Sequence, residues 1–239
     1  MSALKRFFVE KIAETVVLEG EEFEHAKNVL RLGAGDEVIL LDNSGKEYTA
    51  VIAQTEKKRM LLNVVRKELG AREAITDVCL LFGYLKNADK NEFIVQKAVE
   101  LGVKKIGVFS SAFSSAYMNS NKLERLNKVS KEAAKQCLRA VAPKVEYFDT
   151  LDSALQSVSA FDNKLFACEF AEKSDLEIEK INGSTAIVIG SEGGFSREEA
   201  DNAKVNGFSF VSLGKRILRA ETAAVSLTAV VMFSLGELQ

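Results

Sequence analysis

The sequence predicts an α/β protein: a mostly parallel sheet with helices on both faces, preceded by a small β-barrel-like module. Three observations carry the prediction. From Asp77 onward, short apolar runs alternate with helix-period segments, the pattern of successive βα units. Before that point the apolar runs are separated by turn residues and interrupted by one short helix. The 239 residues are 47% hydrophobic and 28% charged, ample for a packed core without disulfide or metal staples.

In the first module, Asp36 to Leu41 (DEVILL) is a strand, Asp42-Asn43-Ser44-Gly45 a turn, and Glu47 to Ile52 (EYTAVI) the returning hairpin partner. Met60 to Val65 is a further strand. A helix from about Glu21 to Leu32 ends near Gly33. The polar stretch Lys67 to Thr76, with Gly70 inside it, sets the boundary and gives modules over 1–70 and 71–239. In the second module VCLLFGYL is a strand, and Asp89 to Leu101 a helix stopped by Gly102. KKIGVF is a strand and residues 120–140 a helix. LFACEF, TAIVIG and FSFVSL are later strands, with helices near 151–158 and 196–206 and a final one from about 221. There is no internal repeat, and the one biased segment is the serine-rich loop SSAFSSAYMNS.

Composition excludes several function classes. The three cysteines, Cys79, Cys137 and Cys168, are widely spaced with no CxxC, and His25 is the only histidine. Neither a zinc site nor a disulfide framework fits, so no metal is expected and the cysteines read as small core hydrophobes in a reducing compartment. The apolar run in MSALKRFFVEK is too short for a signal peptide, and that around AAVSLTAVVMF too short to span a bilayer. A cytoplasmic protein with no membrane partner is expected. The net charge of −2 gives no global nucleic-acid signal, so such a partner must be met by local patches.

Chemistry concentrates in IVIGSEGGFSREEADNAK, residues 187–204. An apolar strand runs into Gly190-Ser191-Glu192-Gly193-Gly194, and Ser196 with Glu199 forms a capping box that starts a helix. Ligands of open α/β sheets bind at such strand-to-helix turns. The turn is neither GxGxxG nor followed by GK[ST], so dinucleotide and P-loop chemistry are not indicated. Glu192 would repel a polyphosphate and suits a ligand with donors or positive charge. The competing reading is a plain tight turn with an exposed glutamate. A second such unit follows: FSFVSL leads into Gly214-Lys215-Arg216-Ile217-Leu218-Arg219-Ala220-Glu221-Thr222 and an apolar helix. Two loops on one sheet edge, with convergent polar groups beside bare backbone, are what a small-molecule cleft needs.

The helix at 120–140 puts Leu123, Leu126, Val129, Ala133 and Cys137 on one face, with Arg125, Lys128, Lys131, Lys135 and Arg139 roughly opposite. That face reads either as a solvated amphipathic surface or as a stripe facing phosphates. The last helix, TAAVSLTAVVMFSLGEL, is apolar nearly all round and must be buried on more than one side, which a second subunit would do.

GSEGGFSREE followed by LGKRILRAETAAV resembles the C-terminal signature of the RsmE family, SPOUT-class methyltransferases that make 3-methyluridine in small-subunit ribosomal RNA. The resemblance spans nearly the whole chain. NEFIVQKAVELGV looks like the family's first core helix, KQCLRA like the end of its EQ-x-x-R helix, and HAKNVLRLGAGDEVILLD like its PUA-like barrel. The family pattern is GPEGG and LGxRILRxETA; here Ser191 replaces the proline, and Lys135 stands where a glutamate is common. The resemblance implies a SPOUT-type sheet with a C-terminal trefoil knot, a topology otherwise very rare. It also implies a homodimer through the C-terminal domain and S-adenosylmethionine as cofactor. That ligand is a sulfonium cation without phosphate, beside which a carboxylate is tolerable.

By the same resemblance Gly190, Glu192, Gly193, Gly194, Leu213, Gly214, Ile217, Leu218, Arg219 and Thr222 hold the cofactor. The RNA, as assembled small subunit, meets Arg6, His25, Arg31, Lys97, Lys128, Lys131 and Lys135. Methylating N3 of uridine removes an imide proton, so a base or an anion-stabilising cation is needed. Glu221 is the candidate base or orienting carboxylate, with Arg219 and Arg139 as the candidate cations; alternatively Glu221 and Arg219 simply pair and fix the loop. Three other functions are weighed: an α/β enzyme using another nucleotide, against which the missing phosphate fingerprints count; a non-catalytic RNA-binding protein on this fold, against which the intact glycines and Arg219 to Thr222 count; and a SPOUT methyltransferase with a different RNA target.

Overall fold

The computed structural model describes residues 4–170, 177 and 180–238. They form two compact units, Met1–Glu73 with Ala134–Ala142, and Ala74–Ala133 with Pro143–Gln239.

The first unit is a five-stranded sheet in the order β1-β3-β4-β5-β2, with β1 Lys5–Phe8, β2 Thr15–Glu19, β3 Glu37–Leu41, β4 Lys46–Thr55 and β5 Arg59–Leu69. Every pairing is antiparallel except β1 with β3. The β3–β4 turn follows its residue types: Asn43 and Gly45 take φ of 61° and 77°, and Ser44 N–H donates to Asp42 Oδ1 at 3.1 Å. Phe7, Phe23, Leu40, Ile52, Met60 and Leu62 fill the core.

Two strands here were not expected. β1 is a four-residue run of which two are cations, and it becomes a strand by non-local pairing with β3 that buries Phe7 and Phe8. β2 does alternate, burying Val16 and Leu18, but its partner β5 lies far along the chain. The helix expected over Glu21–Leu32 is instead a short α1, Gly20–Glu24, running into a π-helical turn at His25–Val29. The wider bond from Leu30 N–H to His25 O inserts one residue, and Arg31 ends the element at φ 56°. In residues 134–142, Arg139 is buried with its Nε and Nη2 on Glu73 Oε2 at 3.0 and 2.9 Å, while Glu73 Oε1 accepts the Ala140 and Val141 amides.

The second unit is an all-parallel six-stranded sheet in the order β11-β9-β10-β6-β7-β8. The strands are β6 Val78–Gly83, β7 Lys105–Phe109, β8 Val145–Phe148, β9 Asn163–Ala167, β10 Thr185–Ile189 and β11 Ser209–Val211. The helices are α2 Ala88–Glu100, α3 Ser120–Gln136 (from Ala134 on counted with the first unit), α4 Leu151–Ser157, α5 Arg197–Val205 and α6 Ala220–Ser234. The sheet was expected; β8 was not, because VEYF is short and half polar. Residues alternate between faces as a pleat requires. Leu81, Phe166 and Val188 join Leu155, Ala200 and Ala203 of α4 and α5 in one core cluster, while α6 packs on β6, β10 and α2. The final helix is apolar, but not enclosed within the chain: Leu227, Val231 and Met232 are buried, Val230 and Phe233 exposed. Cys79 is a core thiol, pushed up to about 12 by burial.

Candidate active site

β10, with every residue buried, ends at Ile189, and the chain turns at once from Gly190. Gly194 N–H donates to Ser191 O at 3.0 Å, and Gly194 takes φ 66°, a left-handed conformation open to glycine. Phe195 then anchors the turn, its ring 4.1 Å from that of Phe166. The capping box forms: Glu199 N–H donates to Ser196 Oγ, and Ser196 N–H to Glu199 Oε2. Gly193 is needed for close approach, since a Cβ there would lie 2.6 Å from Phe113 Cβ.

β11 feeds the second loop, where Gly214 takes φ 92° and Arg219 occupies the N-cap of α6. The loops after β9, β10 and β11 enclose a cavity of about 570 Å³, within the usual range for small-molecule sites. All the residues expected to hold cofactor line it except Thr222. Thr222 is exposed on the first turn of α6, one residue past the inward-facing Glu221, because successive helical positions are turned by about 100°.

The structure adds partners that the sequence did not indicate. Lys90, in the first turn of α2, lies 2.9 Å from Glu221 Oε1. Buried Asn91 sets up this approach by holding the N–H and carbonyl of Leu85, which fixes the β6–α2 loop. In that loop Lys86 N–H donates to Glu192 Oε1 at 3.1 Å, so Glu192 braces one loop against another. Cys168 and Glu169, just past the end of β9, complete the wall. The available signal was position: all follow carboxyl ends of parallel strands.

Burial raises the Glu221 carboxyl, but the Lys90 hydrogen bond, its own backbone N–H and the charges of Lys90 and Arg219 outweigh it and hold the group below the ordinary range. Glu221 is therefore ionised at neutral pH. The stabilisation tied to that ionisation is fully present above the ordinary value of 4.5 and is lost as pH falls through the lowered one. Glu221 Oε2 and Ser191 Oγ are buried without protein partners. Two unpaired oxygens on residues that line a cavity of this size, beside glycine backbone and no phosphate cradle, fit a ligand rich in donors such as S-adenosylmethionine.

The other expected residues are not part of the cavity lining. Arg139 is bound to Glu73 in the first unit. Arg6 Nη2 donates to Glu47 at 2.7 Å, and Lys135 is paired with Glu22 at 3.1 Å. His25 meets Phe7 edge-on at 6.3 Å, and Arg31 is exposed. Lys97 is paired with Glu100, while Lys128 and Lys131 are exposed on α3. Among the described residues no cluster of histidine, cysteine or acidic side chains could hold a metal ion, and no helix is long and apolar enough to cross a membrane.

Comparison with known proteins agrees with this geometry. A family described as RNA methyltransferase domain matches residues 72–232, and an RNA methyltransferase PUA domain matches 18–65. The Bacillus subtilis (strain 168) protein named ribosomal RNA small subunit methyltransferase E is 31% identical, over 92% of this chain and 93% of its own. A putative methyltransferase from Legionella pneumophila, solved with the cofactor SAM, has a TM-score of 0.88 at 26% identity, covering 97% of this chain and 98% of that one. A ribosomal RNA small subunit methyltransferase E from Neisseria gonorrhoeae, bound to S-adenosyl methionine, has a TM-score of 0.85 at 26% identity and covers 98% of each chain. With two glycine loops closing one cavity at the edge of a parallel sheet, and similarity along the whole length, the chain belongs to the ribosomal RNA small subunit methyltransferase E family.

Proposed function

We propose that the protein transfers the methyl group of S-adenosylmethionine to N3 of a uridine in small-subunit ribosomal RNA. The observation that carries this is the single cavity formed by both glycine loops, with the Lys90–Glu221 pair in its lining. The base and the atom follow from the family resemblance of the two C-terminal motifs. The loops from Gly190 to Gly194 and from Leu213 to Arg219 would hold the cofactor, with backbone groups meeting its adenosine and carboxylates tolerating its cation. Bound S-adenosylmethionine supplies an activated methyl group and a neutral leaving group. Small subunits lacking the modification, incubated with protein and cofactor and digested to nucleosides, should yield 3-methyluridine by mass spectrometry. Methylation of another base would sink the N3 assignment.

The imide proton leaves to solvent water, and the chain's own groups stabilise the negative charge it leaves behind. Glu221, ionised and tied to Lys90, is a poor acceptor for so weak an acid. Its role in this reading is to orient Lys90. Lys90 and Arg219 are the cations that stabilise the uridine anion as the bond to carbon forms. Arg139, satisfied by Glu73, serves the fold in this reading.

RNA docking is assigned to the PUA-like first unit, taken as a barrel, through His25 and Arg31, and to Lys97, Lys128 and Lys131. Arg6 and Lys135 are assigned to internal pairs. The double reversal Lys128→Glu, Lys131→Glu should weaken binding of small-subunit RNA roughly tenfold or more and flatten its salt dependence by about two phosphate contacts. Unchanged affinity at low salt would return α3 to an ordinary solvated helix.

The exposed Val230 and Phe233 on α6 support a homodimer through the C-terminal unit. Light scattering should give twice the chain mass of 26.2 kDa at micromolar concentration, and a monomer mass would overturn the dimer. The strand order, with β10 between β9 and β6, supports the trefoil knot expected for the loops after β10 and β11. A ribosomal substrate places the work in the cytoplasm.

A further inference from the structure

The loop between β7 and α3 leaves the same sheet edge as the cavity loops and carries two exposed aromatics, Phe113 at 52% and Tyr117 at 81%. The backbone at Phe113 is held in place. Ser114 N–H donates to Ser111 O at 3.0 Å and Ser111 N–H to Ser114 Oγ at 2.8 Å, closing a turn around it. Ala112 N–H donates to Glu199 Oε1 at 2.7 Å, tying that turn to the helix that follows the first glycine loop. The Phe113 backbone and Cβ seat against Gly193 itself. Lys122 donates to Tyr117 O at 2.7 Å and lies 5.3 Å above the Tyr84 ring. Exposed Lys215 and Arg216 belong to the cavity loops.

An aromatic residue left half exposed on a hydrogen-bonded turn that seats against a cavity-lining loop is suited to a flat apolar ligand. N3 of uridine lies on the Watson–Crick edge, so the target must be unpaired or extruded before it is methylated. Proteins receive such bases on aromatic faces flanked by cations, because every base has a π-face to stack. We propose that Phe113 is the stacking platform for the target uridine and positions its N3 edge toward the methyl-transfer site. This rests on the function proposed above. Phe113 is a substrate-positioning residue, distinct from the groups that hold the cofactor.

Phe113→Ala should leave the S-adenosylmethionine dissociation constant within about twofold by calorimetry, because the backbone and Cβ that contact Gly193 remain. Methylation of small subunits in single turnover should fall about tenfold to a hundredfold. Phe113→Tyr should restore the rate, and Phe113→Leu, apolar but without a ring, should not. The chain contains no tryptophan, so Phe113→Trp makes a lone tryptophan whose fluorescence, excited beyond the tyrosine band, deproteinised small-subunit RNA should quench saturably. Full activity in Phe113→Ala, rescue by leucine, a parallel loss of cofactor affinity, or absence of quenching would each overturn the platform. A wild-type protein that binds cofactor yet methylates no RNA would instead sink the proposed function, and quenching would still decide the platform.

Discussion

Substituting valine for Gly193 removes S-adenosylmethionine binding, with a loss of affinity of about a hundredfold or more and an intact fold by circular dichroism. The reason is steric and local. The new Cβ would sit 2.6 Å from Phe113 Cβ and 3.2 Å from Phe113 O, and neither atom is the end of a flexible side chain. The 111–114 turn is held by its own hydrogen bonds and by Glu199, so the glycine loop must give way. A displaced loop that leaves two buried backbone groups unpaired, at about 1–3 kcal/mol each, is enough to cost about two orders of magnitude in affinity. Calorimetric titration with S-adenosylmethionine, with ATP as control, reads this directly. Wild-type affinity in the valine variant would mean that the loop does not form the cofactor site, and binding of ATP in its place would sink the cofactor assignment.

The second large effect concerns the Lys90–Glu221 pair. Glu221→Gln should lower the single-turnover rate about tenfold to a hundredfold while leaving the pH–rate profile in place. A carboxylate held below the ordinary range has already lost its proton across neutral pH and contributes no titration there. Lys90→Ala should cost more, about a hundredfold to a thousandfold, as expected for removing a cation from a site of developing negative charge. The double variant should be no slower than Lys90→Ala alone, because Glu221 acts through Lys90; groups in direct contact are not additive. A shifted pH profile in Glu221→Gln would make Glu221 a base after all. Additive losses would separate the two residues into independent roles.

The parts of the site legible in the sequence are those whose cause is local. Gly190, Gly193, Gly194 and Gly214 mark places where the backbone turns tightly, takes positive φ or is approached closely. Ser196 and Glu199 encode the start of α5 within four residues. The alternation from Asp77 onward encoded the parallel sheet, because buried strands and amphipathic helices each impose their own period. The same logic explains the misses. Lys5–Phe8 and Val145–Phe148 are strands through pairing with distant partners, which four residues cannot announce.

The tertiary structure decided which charges are spent on the fold and which face the cavity. Along the predicted basic face of α3 and the residues after it, Lys128 and Lys131 stay exposed, while Lys135 and Arg139 are held by Glu22 and Glu73. Periodicity assigns a residue to a side of a helix, but not to a partner. Lys90 reads in sequence as one more surface lysine, and becomes part of the site because Asn91 pins the loop that brings it to Glu221. Phe113 reads as part of a serine-rich loop, and comes to lie against a residue of the cavity wall because Gly193 lets the two loops touch. Residue type sets what a short segment of backbone can do. Which distant side chain completes a site is set by packing, where the free energy depends on contacts that only the folded chain brings together.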